Sequence, residues 1–304
     1  MQSQNGRKIG DNQSDEIRNL LCLEKQWGAD YLKYVKKVKD QGFDILEISC
    51  AGLKDMPKEE IEKLKAYKDE LGIDLTAGYG PKPTEDISSS DPEIVKNAFQ
   101  FWKKTFPVLK ELDVHIVGGG LYSSWPADYS KVPDKEGDLD RSIRNMKELA
   151  KMAQEYELTL GMEVLNRHEG YLLNTAKEGV AYVDAVGAEN VKVMLDTYHM
   201  NMEEDDFAEA ILTAGKKLGH FHVGENNRKL PGQGHIIPWN QIGDALRKIE
   251  YQGAVVMEPF VICGGQVGKD IRIWRDLKDD CSEAILDQEA AQSVQYLRKT
   301  FEQQ

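Results

Sequence analysis

The chain has 304 residues, 40% of them hydrophobic, with 52 acidic against 39 basic side chains and a net charge of −13. That length suits one large α/β barrel better than two average domains, the acidity leaves no concentrated basic face for nucleic acid, and no apolar run approaches a membrane span. The N-terminus is polar, without the character of a signal or transit peptide, and the four cysteines (Cys22, Cys50, Cys263, Cys281) form no CxxC pair. A cytoplasmic, reducing compartment is therefore expected, with neither a disulfide framework nor a zinc cluster.

The segment from Asp15 to Leu23 comes first, and its apolar residues Ile17, Leu20, Leu21 and Leu23 do not alternate. It looks helical or irregular, and any strand recruited from it would be short and poorly specified. From Phe43 onward the pattern is regular. Strands are predicted over Phe43–Ile48, Ile73–Ala77, Val114–Val117 and Leu158–Val164, then over Val191–Leu195, His220–Val223 and Ala254–Met257. Amphipathic helices are predicted between them, over Glu59–Leu71, Pro92–Leu112, Asp140–Tyr156, Lys177–Val186, Asp206–Leu218 and Trp239–Ile249. Gly42, Gly72, Gly187, Gly219 and Gly253 each stand between a helix and the next strand, where a positive φ is expected. Strict alternation implies a parallel sheet with right-handed crossovers. Seven strands are legible, and an eighth closes a (β/α)8 TIM barrel. An open doubly wound sheet would want GxGxxG after an early strand, and Gly118-Gly119-Gly120 lacks that spacing.

The last four legible strands each carry a ligand-type residue at or near the C-terminal end: Glu163, Asp196, His222 and Glu258. In a barrel those ends converge on one mouth, where catalytic groups collect. Three carboxylates there would repel one another unless a cation neutralised them. Three oxygen donors with one imidazole favour a single Mn²⁺, Co²⁺ or Mg²⁺ over structural zinc. His220, two residues before His222, faces the same side and is expected to fill a lower barrel layer. His115 and His168 read as ordinary polar positions.

Several stretches carry a resemblance. Met-Glu-Val-Leu-Asn-Arg around Glu163, Val-Met-Leu-Asp-Thr-Tyr-His-Met-Asn around Asp196, Gly-Glu-Asn-Asn-Arg-Lys-Leu-Pro-Gly after His222, and Val-Met-Glu-Pro-Phe around Glu258 are four of them. Gly-Gly-Gly-Leu-Tyr-Ser-Ser-Trp-Pro from Gly118 and Ile-Trp-Arg-Asp from Ile273 are two more. From about Glu24 to near the C-terminus the chain resembles the D-tagatose/D-psicose 3-epimerase family. The resemblance implies one divalent metal, Mn²⁺ or Co²⁺ first, on Glu163, Asp196, His222 and Glu258. It also implies that Glu163 and Glu258 flank carbon 3 of a free ketose (D-fructose/D-psicose, D-tagatose/D-sorbose) and exchange its proton through a cis-enediolate. Glu169, His199 and Arg228 match polar contacts to the sugar, Trp125 and Gly120 match its pocket, and a homodimer or homotetramer is implied.

The N-terminus departs from the family, which opens with a strand resembling Met-Lys-Tyr-Gly-Ile-Tyr-Tyr-Ala-Tyr-Trp. Here residues 1–23 form an atypical segment ahead of a single barrel domain, 24–304, and an inward tyrosine is replaced at about Leu20. One encoding of Asp15 to Cys22, GAT GAA ATA CGG AAT TTA TTA TGC, spells Met-Lys-Tyr-Gly-Ile-Tyr-Tyr-Ala when read one base later and followed by C. An out-of-frame N-terminus, restored near Leu23, is the reading this suggests. The alternatives are a related barrel isomerase or inosose dehydratase, and an inert sugar- or metal-binding barrel.

Overall fold

Val, Ile and Leu crowd the strands because a parallel strand is covered on both faces, by the barrel interior and by helices. The computed structural model describes residues 17–20, 25–27, 29–130 and 132–302, with the backbone alone for 17–20. Strands β1 (Ile17–Leu20), β2 (Ile45–Ser49), β3 (Asp74–Gly78) and β4 (Ile116–Gly119) form the first half of the sheet. Strands β5 (Thr159–Glu163), β6 (Val191–Asp196), β7 (Leu218–Val223) and β8 (Ala254–Met257) form the second. Each pairs in parallel with its neighbours in chain order, and the ring closes between β8 and β1.

The eighth strand thus comes from the segment read as helical or irregular: Ile17–Leu20 is strand instead, because the open edges of β2 and β8 recruit its backbone. Arg18 lies opposite Ile45 on one side and Val256 on the other, although β1 is only four residues long. The side chains of 17–20 and all of residues 21–24 lie outside what is described, and with them the wall expected near Leu20.

The helices are α1 (Tyr31–Asp40), α2 (Lys58–Leu71), α3 (Pro92–Glu111), α4 (Lys135–Gln154) and α5 (Ala176–Val186), followed by α6 (Thr197–Glu203), α7 (Phe207–Ala214), α8 (Trp239–Lys248), α9 (Gly265–Asp270) and α10 (Glu283–Phe301). Their starts have chemical causes. Asp30 caps α1 through Lys33 N, Asp134 caps α4 through Gly137 N, and Thr175 with Glu178 forms a reciprocal capping box on α5. In α3 the buried residues Ala98, Phe101, Trp102, Thr105, Phe106 and Leu109 recur at helical spacing and press onto the barrel. No helix among the described residues is long and apolar enough to cross a membrane.

Two of the glycine expectations fail. Gly42, Gly72 and Gly187 do take positive φ, but Gly219 lies inside β7, and the turn before that strand uses Gly215 at φ 51°. At Gly219 a Cβ would sit 2.5 Å from Lys192 Cβ, so close packing, not backbone conformation, explains its lack of a side chain. Before β8 the positive φ falls on Glu250 (54°), not on Gly253.

Candidate metal centre and sugar pocket

At the C-terminal mouth of the barrel opens a cavity of about 480 Å³, within the range of small-molecule sites. Glu163 ends β5, and Asp196 ends β6 while also capping α6. His222 lies one residue from the end of β7, and Glu258 follows β8 directly. One ligand atom from each of these four falls within 4.8 Å of the others. The four residues singled out in the sequence are therefore brought to one point.

Asp196 uses only half of its carboxylate in capping. Oδ1 accepts from Tyr198 N at 2.7 Å, while the buried Oδ2 has no hydrogen-bond partner. Both ring nitrogens of His222 are buried and without a hydrogen bond, with Nδ1 3.5 Å from Glu258 Oε2 and Nε2 3.0 Å from Glu47 Oε1. Orphaned buried atoms of this kind are costly unless something completes them. A divalent cation among these lone pairs would do so, and the donor set of three carboxylates and one imidazole fits it.

The charges around this point shape one another. Burial pushes the Asp196 carboxyl up, with the Glu258 charge adding to it. Burial would also raise Glu258, but the adjacent His222 ring and the Arg228 guanidinium hold it below the usual carboxylate range. For His222, burial favours the neutral ring, yet the Glu47 and Glu258 carboxylates raise it well above its ordinary value. An excess of negative charge at the mouth is what a bound cation would relieve.

A second group of residues ties the pocket wall to the centre. Arg228 donates to Glu258 Oε2 at 3.0 Å and to Glu169 Oε1 at 3.3 Å. Its guanidinium lies 3.6 Å over the Tyr198 ring and 5.1 Å from that of Phe260. Its backbone is left-handed at φ 66°, a conformation that costs a non-glycine residue energy and here is over-determined by these contacts. Glu169 also accepts from Trp125 Nε1 at 3.1 Å and from Asn166 Nδ2 at 3.2 Å. Burial would raise the Glu169 carboxyl, but His199 and Arg228 bring it below its ordinary value.

His199 sits on α6 with Nε2 3.5 Å from Glu163 Oε1. Its Nδ1 accepts from the Asn166 backbone N–H at 3.2 Å, which leaves the ring hydrogen on Nε2, facing the centre. Gly120 lines the cavity, as do Trp125, Phe260 and Trp27. The Trp27 ring packs edge-on to Trp125 at 6.0 Å and to Phe260 at 6.1 Å. His115 and His168 are exposed and do not line the cavity.

Sequence reasoning missed Glu47, Tyr198 and Phe260. Glu47 is fully enclosed in β2, and its carboxylate contacts both His220 and His222. The signal was available: an acid inside an apolar strand, the same feature that singled out Glu163.

The family model for the xylose isomerase-like TIM barrel matches residues 35–299. The chain is 52% identical over 279 residues to a D-psicose 3-epimerase of Enterocloster bolteae, covering 91% of this chain and 92% of that one. It is 50% identical to a D-psicose 3-epimerase of Ruminiclostridium cellulolyticum, covering 92% and 95%. Among solved structures, a D-psicose 3-epimerase with D-tagatose from Clostridium cellulolyticum superposes with a TM-score of 0.91 at 48% identity, covering 94% of this chain and 99% of the other. The chain therefore belongs to the D-psicose 3-epimerase family of isomerases, within the xylose isomerase-like TIM barrels.

Proposed function

We propose that this protein is a divalent-metal-dependent ketose 3-epimerase, interconverting free ketohexoses such as D-fructose with D-psicose and D-tagatose with D-sorbose. The observation that carries this reading is the pair Glu163 and Glu258. They come from strands three apart round the ring, and both belong to one ligand cluster on a pocket of sugar size. Epimerisation at carbon 3 takes a proton from one face of the carbon and returns one to the other. A carboxylate on each face does this without turning the substrate over.

A bound divalent ion, with Mn²⁺ or Co²⁺ preferred and Mg²⁺ compatible, would supply Lewis-acid stabilisation of the oxygens on carbons 2 and 3. Glu163, Asp196, His222 and Glu258 are the residues that would hold it. The remaining work falls to the chain. Arg228, donating to Glu258 Oε2, keeps that carboxylate ionised and able to accept the carbon-bound proton. Glu163, entering the cycle protonated, is its counterpart on the other face: it gives its proton to carbon 3 as the enediolate collapses, and exchange with solvent then restores both carboxyls. The Nε2–H of His199 is placed to donate to a sugar oxygen beside Glu163. Arg228 and Glu169 hold the hydroxyl end of the ketose, while Trp125, Gly120 and Phe260 shape the wall that excludes water.

The test is Glu163→Gln and Glu258→Gln, each assayed with Mn²⁺ in excess. Each substitution keeps an oxygen but cannot accept a carbon-bound proton, so turnover should fall by about 10²–10⁴-fold. Near-normal turnover in either variant would defeat the two-carboxylate mechanism.

A further inference from the structure

Below the proposed metal centre lies a polar layer in a barrel interior that is otherwise largely apolar. Glu47, on β2, is 1% exposed. Its Oε2 accepts from Thr76 Oγ1 at 2.8 Å and lies 2.7 Å from His220 Nε2. Its Oε1 lies 3.0 Å from His222 Nε2. Thr76 is the direct neighbour of Glu47 across the β2–β3 pair, so the hydroxyl that steadies the carboxylate is fixed by strand register. Gly78 completes the arrangement, since a Cβ there would come within 3.2 Å of Glu47 Oε1.

The 3.0 Å contact is not aligned as a hydrogen bond, but a carboxylate offers only lone pairs to a ring nitrogen, so its charge favours a hydrogen on the nitrogen facing it. With Nε2 of His222 facing Glu47, the lone pair of the neutral ring is on Nδ1, the atom that lies toward Glu258. We infer that Glu47 is a positioning residue, which through the Thr76–Glu47–His222 chain fixes the tautomer and ring orientation that present His222 Nδ1 to the metal. Glu47 anchors His220 by the same carboxylate, tying two imidazoles of one strand to a single support. This inference rests on the metal site proposed above. A rival use of the same atoms is a second cation on Glu47, His220 and His222. The 2.7 Å approach of His220 Nε2 to Oε2 is a hydrogen-bond distance, and it favours support over ligation.

The experiment is calorimetric titration of Mn²⁺ into the metal-stripped full chain, at one pH, for the wild type, Glu47→Gln, Thr76→Val and Asp196→Asn. A glutamine at 47 keeps one acceptor oxygen but cannot accept from both histidines. The expected result is one ion per chain in the wild type and a loss of about 10–100-fold in affinity for Glu47→Gln, with a smaller loss for Thr76→Val. Epimerase turnover of Glu47→Gln should recover as Mn²⁺ is raised, a rescue that a merely structural defect would not give. Wild-type affinity in Glu47→Gln, or two ions per wild-type chain, would overturn the inference. Should Glu47→Gln fail to fold, unchanged affinity in Thr76→Val overturns it instead. Unchanged affinity in Asp196→Asn removes the four-residue centre itself, an outcome distinct from failure at Glu47 alone.

Discussion

Arg228 joins more of the site than any other side chain described here, and it does so from a strained backbone. It pairs with Glu258 and Glu169, lies 3.5 Å from Asp196 Oδ2, and stacks on Tyr198. Removing it leaves three carboxylates without their guanidinium and takes away a charged donor to the sugar. Arg228→Ala is expected to raise KM by about tenfold or more, from the 1.5–3 kcal/mol typical of a charged hydrogen bond, with a smaller change in kcat. Steady-state kinetics on D-fructose would check this, and an unchanged KM would take Arg228 out of the sugar contacts. Asp196 makes the complementary case. Its Oδ1 serves the helix cap and its Oδ2 has no hydrogen bond. Asp196→Asn keeps a capping oxygen but loses the charge, so Mn²⁺ affinity should fall strongly while the thermal midpoint of the metal-free protein shifts little.

At the scale of elements, the strands β2 to β8 were legible because both faces of each are buried, which writes a short apolar run into the sequence. The mouth residues were legible for the converse reason, as polar residues closing such runs. The part left unread follows from the same physics. α6 begins on Asp196 with no intervening loop, so a strand-end ligand and a helix cap share one residue and no turn signal separates them. β1 was the hardest to read, because its pattern does not alternate, yet Ile17–Leu20 pairs on both sides. A four-residue strand gives the seam between β8 and β2 few backbone bonds. Replacing residues 15–23 with Met-Lys-Tyr-Gly-Ile-Tyr-Tyr-Ala-Tyr-Trp is expected to raise both the thermal midpoint and the turnover. Equal values for the two chains would show that the present N-terminus is a working variant.

Another element-level expectation concerns Tyr31, which ties α1 to the end of β2: its hydroxyl accepts from Ser49 N at 3.1 Å. Burial pushes its pKa up to about 12 from 10. A raised pKa means that the folded state keeps the proton while the unfolded chain gives it up. This contribution is therefore intact below pH 10 and lost progressively as pH rises from about 10 to 12, amounting to about 3 kcal/mol at most. Urea unfolding at pH 8 and pH 11 should show a steeper alkaline loss in the wild type than in Tyr31→Phe. Identical pH slopes would contradict it.

For the whole molecule, the barrel gathers its chemistry at one end, while large apolar side chains remain outside the core. Trp274, 75% exposed, sits in the segment from Cys263 to Asp276 after β8, and Ile236 is 61% exposed. Single exposed groups do not by themselves define an interface, so association of subunits is a proposal that rests on the family resemblance of this segment. At least a homodimer is expected at micromolar concentration, and light scattering that returns only the 34.4 kDa monomer across that range would contradict it.

The central claim is proton transfer at carbon 3 between two carboxylates, and isotope exchange reports on it directly. D-fructose would be incubated with the Mn²⁺-loaded protein in D₂O and followed by NMR. The account predicts deuterium at carbon 3 together with the appearance of D-psicose, both lost in Glu163→Gln and in Glu258→Gln. Deuterium at carbon 1 in place of carbon 3, or no incorporation at all, would contradict it.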